Sequence, residues 1–490
     1  MESSTGTLAV VILAAGRATR FKSQRVPSKV LYPVAGIPMI EHIFRLVQRL
    51  DPKQTVIVVS PEVRDALLKR FGNLYEYVVQ EEALGTGDAL STAMPLLDES
   101  VDRLLVLPGD VPLVTEEALW VLLRSMLGVD AAVLTFEPPN PRGYGRIIRD
   151  EEGRLVSRIV EESDAEPEQR AISEVNSGVY ALERRWAESG LERVSRECGA
   201  ENRKGEYYLT DIVRFLRTAP VLHQPPEDLM GINDRSQLTL AEDLMQERII
   251  AAHAHAGVTF VRAETTYVEA SVRIGEDSTI YPGCVLRGDT AIGESCEIGP
   301  MCYLEDCRVG DRNRVVYAHL VKVHSEQDVK IGPFANLRPG TYLSESVKVG
   351  SFVELKEAHI GSGSKVPHLT YLGDSEVGRN VNIGAGTITC NYDGFAKYRT
   401  VIEDDAFIGT NNAIIAPRRI GKGAYTAAGS TINQDVPPGS LAVARGHQVN
   451  KEGYVKRMRE RKAQAPGDEE SPSNEESPPL TDAHDSEERT

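Results

Sequence analysis

Two periodicities divide the chain. In its first part, short uninterrupted apolar runs alternate with segments of helical spacing. Residues 8–14 (LAVVILA), 55–60 and 103–107 read as strands, and residues 61–71 and 87–97 as helices, with a further helix beginning near Pro38. Unbroken hydrophobicity predicts strands buried on both faces, and alternating β and α segments predict a mostly parallel sheet covered on both sides. Residues 233 to about 254 read as one long polar–apolar helix. Beyond about residue 258 the period becomes six, in pairs such as Ile274-Gly275, Ile292-Gly293, Ile298-Gly299, Val349-Gly350, Val377-Gly378, Ile383-Gly384, Ile408-Gly409 and Ile420-Gly421. Such a repeat marks a left-handed parallel β-helix, in which three hexads form one triangular coil that stacks on the last.

The fold class is therefore α/β: an N-terminal Rossmann-like, mostly parallel sheet, a long linker helix and a C-terminal left-handed parallel β-helix. The pattern divides the chain at residues 1–230, 231–256 and 257–462, the third part ending in a basic segment. Residues 463–490 form an acidic tail mixed with Ser and Pro, which cannot bury enough apolar surface to order itself.

Bulk properties narrow the function classes. A chain of 490 residues exceeds one ordinary core. The net charge of −17 argues against a nucleic-acid partner. No 18-residue apolar run predicts a membrane span, and the short acidic start lacks the basic region and cleavage site of a signal peptide, so a cytoplasmic protein is expected. Of the six cysteines, Cys284, Cys296, Cys302 and Cys307 each stand two residues before an aliphatic hexad position. No CxxC or Cys/His spacing accompanies them, so they read as core packing rather than zinc ligands.

The first strand leads into Leu13-Ala14-Ala15-Gly16-Arg17-Ala18-Thr19-Arg20. A small-residue turn there lets backbone N–H groups approach a phosphate, and Arg20 offers a bidentate fork. Lys29 adds a second cation, and Asp110 follows the third strand in Pro108-Gly109-Asp110. Open α/β sheets bind ligands at such strand ends, and a carboxylate with phosphates commonly holds Mg²⁺. Further motifs follow in order: Gln80 with Leu84-Gly85-Thr86-Gly87, Gly143-Tyr144-Gly145-Arg146-Ile147, Glu174-Val175-Asn176-Ser177-Gly178, Gly205-Glu206-Tyr207-Tyr208-Leu209-Thr210-Asp211 and Gly231-Ile232-Asn233-Asp234-Arg235.

Together these resemble the uridyltransferase half of the bifunctional N-acetylglucosamine-1-phosphate uridyltransferase/glucosamine-1-phosphate N-acetyltransferase family. The resemblance implies that Leu13, Ala14, Ala15 and Gly16 contact the nucleotide, with Arg20 catalytic and Lys29 beside it. Gln80 and Thr86 would read the uracil, with Gly85 a further nucleotide contact. Gly145, Glu161 and Asn176 would hold the amino sugar, and Asp110 and Asn233 would coordinate Mg²⁺. The chain departs from the family's pattern with Ala18 at a glycine position, a longer interval between Arg20 and Lys29, and Pro108 where the family often carries Tyr.

In the β-helix, the run from Lys365 to Asp374, containing His368-Leu369-Thr370-Tyr371-Leu372-Gly373-Asp374, interrupts the six-residue period. A histidine can accept a proton near pH 7, as transfer of an acetyl group to an amine requires. With the 332–340 segment, Glu354-Leu355-Lys356 and the 382–394 segment (NIGAGTITCNYDG), this run resembles the acetyltransferase half of the same family. That implies His368 as general base, and Arg338, Lys356, Tyr371, Asn382 and Lys397 as the glucosamine 1-phosphate site. Ala385, Asn391, Tyr392, Thr410, Ala428 and Arg445 match the acetyl-CoA contacts; Thr410 stands where the family commonly has Ser. His359 has no such setting and reads as structural.

The implied protein is a homotrimeric enzyme that takes acetyl-CoA, glucosamine 1-phosphate, UTP and N-acetylglucosamine 1-phosphate. Its product would be UDP-N-acetylglucosamine, a precursor of bacterial envelope polymers. The alternatives are a sugar-1-phosphate nucleotidyltransferase whose β-helix only oligomerises or senses an effector, and a non-catalytic scaffold on the same architecture.

Overall fold

The computed structural model describes residues 6–16, 21, 26, 28–198, 202 and 205–464. In the N-terminal part, the Leu8–Ala14 strand is an interior strand, third in order, of a nine-stranded sheet. It pairs in parallel with Gln54–Val59 on one side and Arg103–Pro108 on the other, and Gln54–Val59 in turn pairs with Glu76–Val79. Val10 and Ile12 enter one core cluster, while Ala9 and Val11 enter the cluster on the opposite face. Because successive side chains of a strand point to opposite faces, an unbroken apolar run serves both cores.

The sheet is less parallel than its first strands suggest. Val175–Glu183 runs antiparallel between Arg103–Pro108 and Ala131–Phe136. An antiparallel pair, Arg146–Arg149 with Val156–Val160, closes one edge. These later strands bring Glu161 and Asn176 beside the strand ends where Asp110 and Gly16 emerge.

The long helix spans Arg235–His255, and its cap residue Asp234 accepts a hydrogen bond from the Gln237 N–H at 2.9 Å. Ala241 and Met245 pack into a cluster with Phe21, Tyr32, Met39 and Ile232. Arg248 donates to the Leu113 carbonyl at 2.6 Å and pairs with Asp228, which also meets His223 Nε2 at 2.7 Å. Gln246 binds Val268 of the first coil through both amide ends, each at 2.9 Å. The helix thereby links the loops of the first sheet to the base of the β-helix, and the Ala270 N–H reaches the Ala35 carbonyl at 2.9 Å beside it.

The C-terminal part is a left-handed parallel β-helix. Ile280, Ile298, Val315, Ile331, Val349 and Val366 stack in register, one per coil, and all are buried. Each such side chain contributes roughly 1.5–3 kcal/mol through removal from water. Where a glycine follows the aliphatic residue, as in Ile383-Gly384, it has a steric cause: at Gly384 an added Cβ would lie 2.6 Å from the carbonyl carbon of Gly409 in the next coil. Cys284, Cys296, Cys302 and Cys307 lie in this core, as their spacing predicts.

Residues from Ala444 onward form a separate unit, whose described part carries the basic, exposed helix Tyr454–Gln464. The acidic tail beyond residue 464 lies outside the described residues. Among the described residues no helix is long and apolar enough to cross a membrane.

Two candidate active sites

The first site is a cavity of about 590 Å³ at the ends of the central strands. Leu13, Ala14, Ala15, Gly16, Lys29, Gln80, Gly85, Thr86, Asp110, Glu161 and Asn176 line it. Gly145 and Asn233 adjoin these residues: the Asn176 N–H donates to the Gly145 carbonyl at 2.8 Å, and Asn233 meets Lys29. Arg20, with Arg17, Ala18 and Thr19, lies outside the described residues.

Local hydrogen bonds set the polar ends. The Gln80 amide donates to Asp88 at 2.7 Å and to the Gly85 carbonyl at 3.1 Å, which fixes the turn of the amide and leaves its carbonyl oxygen as the acceptor end. Thr86 opens a helix, and its hydroxyl accepts from the Leu209 N–H at 3.0 Å. The buried hydroxyl of Tyr180 donates to Asn176 at 3.0 Å, and burial followed by the charge of Glu161 pushes its pKa well up, so it stays a donor. Thr210 donates to Glu161 at 3.2 Å. Asp88, Tyr180 and Thr210 carry no assignment from sequence, although Thr210 falls inside a motif that resembles the family.

Lys29, Asp110 and Asn233 form the charged end of the cavity. The Lys29 ammonium pairs with the Asp110 carboxylate and donates to Asn233 Oδ1 at 2.6 Å. The Ile232 N–H donates to the Asp110 carbonyl at 2.9 Å, and Asn233 Nδ2 donates to the Gly231 carbonyl at 3.3 Å, which turns Oδ1 toward the lysine. One carboxylate and one amide oxygen thus converge on a single positive charge. That donor set fits Mg²⁺, a hard cation that takes one or two protein oxygens and completes its shell with phosphates and water. Among the described residues no cluster of three or more His, Cys, Asp or Glu offers an all-protein cage.

The second site lies on the outer surface of the β-helix. Ser351 and His368 pair in register, and the ladder continues as Leu369, Gly386, Asn411 and Gly429 each bond to the coil beneath. Those four residues all have positive φ, at 45°, 75°, 55° and 73°. The residues just before them, His368, Ala385, Thr410 and Ala428, therefore occupy the same corner of four consecutive coils. Adjacent parallel strands lie about 4.8 Å apart, so the four make a column with a histidine at one end and small residues along it. The Thr370 hydroxyl donates to the His368 carbonyl at 2.6 Å and stiffens that corner.

Beside the column stands a cluster of cations. Arg338 is held by Glu354 at 2.9 Å. Residues 391–398 leave the coil as a small hairpin: the Tyr398 N–H returns to the Asn391 carbonyl at 2.8 Å, and Asp393 accepts from the N–H groups of Phe395 and Ala396, each at 2.8 Å. The hairpin carries Lys397 against Lys356, and this contact, with the charge of Arg338, holds the Lys397 pKa below the usual lysine value. Asn391 and Tyr392 begin the same hairpin, and Tyr371 and Asn382 are half-buried on neighbouring strands. Arg445 belongs to the separate C-terminal unit.

Comparison with known proteins agrees with this two-part architecture. The family model of the MobA-like NTP transferase domain matches residues 10–186, and that of the bacterial transferase hexapeptide (six repeats) matches residues 271–306. The bifunctional protein GlmU of Geobacillus sp. (strain WCH70) is 46% identical over 457 residues, covering 91% of this chain and 97% of the relative. That of Brevibacillus brevis is 44% identical over 455 residues, with 91% and 97% covered. A third, from Trichlorobacter lovleyi, is 44% identical over 462 residues, with 92% and 99% covered. This near-full-length identity, on a chain that joins a nucleotidyltransferase sheet to a hexapeptide β-helix, makes the protein a member of the family of bifunctional GlmU enzymes.

Proposed function

We propose that the protein makes UDP-N-acetylglucosamine in two steps. Its C-terminal half moves the acetyl group of acetyl-CoA to the amine of glucosamine 1-phosphate. Its N-terminal half then transfers UMP from UTP to N-acetylglucosamine 1-phosphate and releases pyrophosphate. We assign residues 1–230 to uridyl transfer, 231–256 to the linker, 257–462 to acetyl transfer and 463–490 to the acidic tail. The working enzyme is taken as a cytoplasmic homotrimer that supplies precursors of bacterial envelope polymers.

The corner shared by His368, Ala385, Thr410 and Ala428, beside the cluster of Arg338, Lys356 and Lys397, is the observation that supports this reading most. The cations receive the sugar phosphate, which leaves the amine near His368. The neutral amine attacks the thioester carbonyl, a C–N bond forms, and the C–S bond to CoA breaks. The His368 imidazole accepts the amine proton during the attack. Ala385, Thr410 and Ala428, with Asn391, Tyr392 and Arg445, bind the CoA chain; small side chains along the column leave room for it. Tyr371 and Asn382 meet the sugar hydroxyls.

In the first half, an anionic sugar phosphate displaces pyrophosphate from the α-phosphorus of UTP, so no general base is needed. Lys29 and Arg20 offset the repulsion between the two anions. Gln80 and Thr86 read the uracil, Gly85 and Leu13 to Gly16 line the nucleotide, and Gly145, Glu161 and Asn176 orient the amino sugar. Mg²⁺ held by Asp110 and Asn233 would neutralise phosphate charge. Two assays test the whole reading: CoA release from acetyl-CoA with glucosamine 1-phosphate, and pyrophosphate release from UTP with N-acetylglucosamine 1-phosphate. Pyrophosphate release without CoA release would leave a nucleotidyltransferase with a non-catalytic β-helix.

A further inference from the structure

Asp374 touches the second site at Asn391 and has no role in the scheme above. It lies in the Tyr371–Val377 strand with a left-handed backbone, φ 47°, and its side chain is half-buried. Its Oδ2 accepts a hydrogen bond from Asn391 Nδ2 at 2.5 Å. The neighbouring Gly373 makes the approach possible, because a Cβ there would lie 2.4 Å from the Tyr371 hydroxyl and 2.7 Å from Asn391 Nδ2. Tyr371, Asn391 and Asp374 thus close over one missing side chain.

An amide has a donor end and an acceptor end, whereas a carboxylate only accepts. Asp374 therefore takes the donor end of Asn391 and fixes which way the amide is turned. Asn391 is only 7% exposed, and among the described residues nothing donates to its Oδ1. A nearly buried amide is left with one acceptor for an incoming N–H. Asp374 also acts on Lys397: of the groups facing that ammonium, Lys356 and Arg338 disfavour its charge and Asp374 favours it.

We propose that Asp374 is a positioning residue for acetyl transfer, which aims Asn391 Oδ1 at an N–H of a bound substrate and sets a negative charge facing the Lys397 ammonium. The proposal rests on the acetyltransferase reading of this site. The N–H belongs either to the amine of the sugar or to an amide of the CoA chain, and kinetics separate the two.

The test is Asp374→Asn in the full-length protein, with pyrophosphate release at the first site as the folding control. Asparagine keeps the shape but removes the charge and sets an NH₂ group against Asn391 Nδ2. The variant should lose at least about tenfold in kcat/KM for acetyl transfer while pyrophosphate release is unchanged. At a pH below the alkaline limb, where Lys397 is charged in either protein, a raised KM for glucosamine 1-phosphate identifies the sugar amine as the donor, and a raised KM for acetyl-CoA identifies the CoA amide. The alkaline limb of kcat/KM for glucosamine 1-phosphate should move to lower pH, because Lys397 loses the charge that favours its protonation. A merely structural role would not move that limb. Asp374→Glu, which keeps the charge, should retain the wild-type limb. Unchanged KM values and an unchanged limb in Asp374→Asn would overturn the proposal; where that variant loses both activities, a limb that moves in Asp374→Glu would overturn it. Wild-type protein that releases no CoA would instead sink the acetyltransferase reading, a distinct result.

Discussion

Lys397 is carried by the 391–398 hairpin against Lys356, and the contact holds the Lys397 ammonium below the usual lysine pKa. Two like charges brought together on an exposed surface favour an anion between them. An arriving phosphate restores the proton affinity of Lys397, so binding is strongest below its lowered pKa. As pH rises through that value, binding must take up a proton and KM for glucosamine 1-phosphate climbs, earlier than for an ordinary lysine. Lys356→Met removes the main cause of the depression. Its alkaline limb should therefore move to higher pH, even though loss of one cation raises KM by about tenfold at neutral pH. KM measured from about pH 7 to 10 checks both shifts. A limb that stays in place in Lys356→Met would refute the pairing.

At the other site, the Lys29 ammonium sits on the two oxygens assigned to the metal, those of Asp110 and Asn233. A lysine and a divalent cation there compete for the same acceptors. Lys29→Met should consequently bind Mn²⁺ more tightly without nucleotide, by about tenfold, while pyrophosphate release falls. Mn²⁺ titration followed by electron paramagnetic resonance reads the affinity directly. Equal or weaker Mn²⁺ binding in the variant would mean that the lysine does not guard the site.

Arg146 is a guanidinium at 2% exposure, paired with Glu162 at 2.8 Å and bonded to the Tyr144 carbonyl. It joins the Gly143–Gly145 turn to the strand end that carries Glu161. Arg146→Leu leaves Glu162 without its partner and should lower stability by about 2–3 kcal/mol, since one side of the pair is partly solvated. Urea unfolding followed by tryptophan fluorescence would measure it, and a loss below about 0.5 kcal/mol would show the pair to be dispensable.

Much of this architecture was legible because its two periods are enforced sterically. Ile383-Gly384 and its equivalents recur because the aliphatic residue fills the coil and a Cβ on the glycine would strike the next one. The unbroken run 8–14 reports a strand with a core on each face. The antiparallel Val175–Glu183 strand was hidden, because apolar content reveals burial and not direction. The column of His368, Ala385, Thr410 and Ala428 was hidden too. Its members fall at unequal intervals, since the 391–398 hairpin is inserted into one coil, so no fixed period links them. The roles of Asp374 and Arg146 depend on which charges end up buried or paired, and a charged residue in a sequence does not report that.

The central claim is that two separate chemistries share this chain, with acetyl transfer centred on His368. It is tested most directly by measuring CoA release and pyrophosphate release in His368→Ala on the same preparation. CoA release should fall by about 10²–10⁴-fold, while pyrophosphate release stays at the wild-type rate. Acetyl transfer that survives unchanged, or equal loss of both activities in a folded variant, would contradict the account.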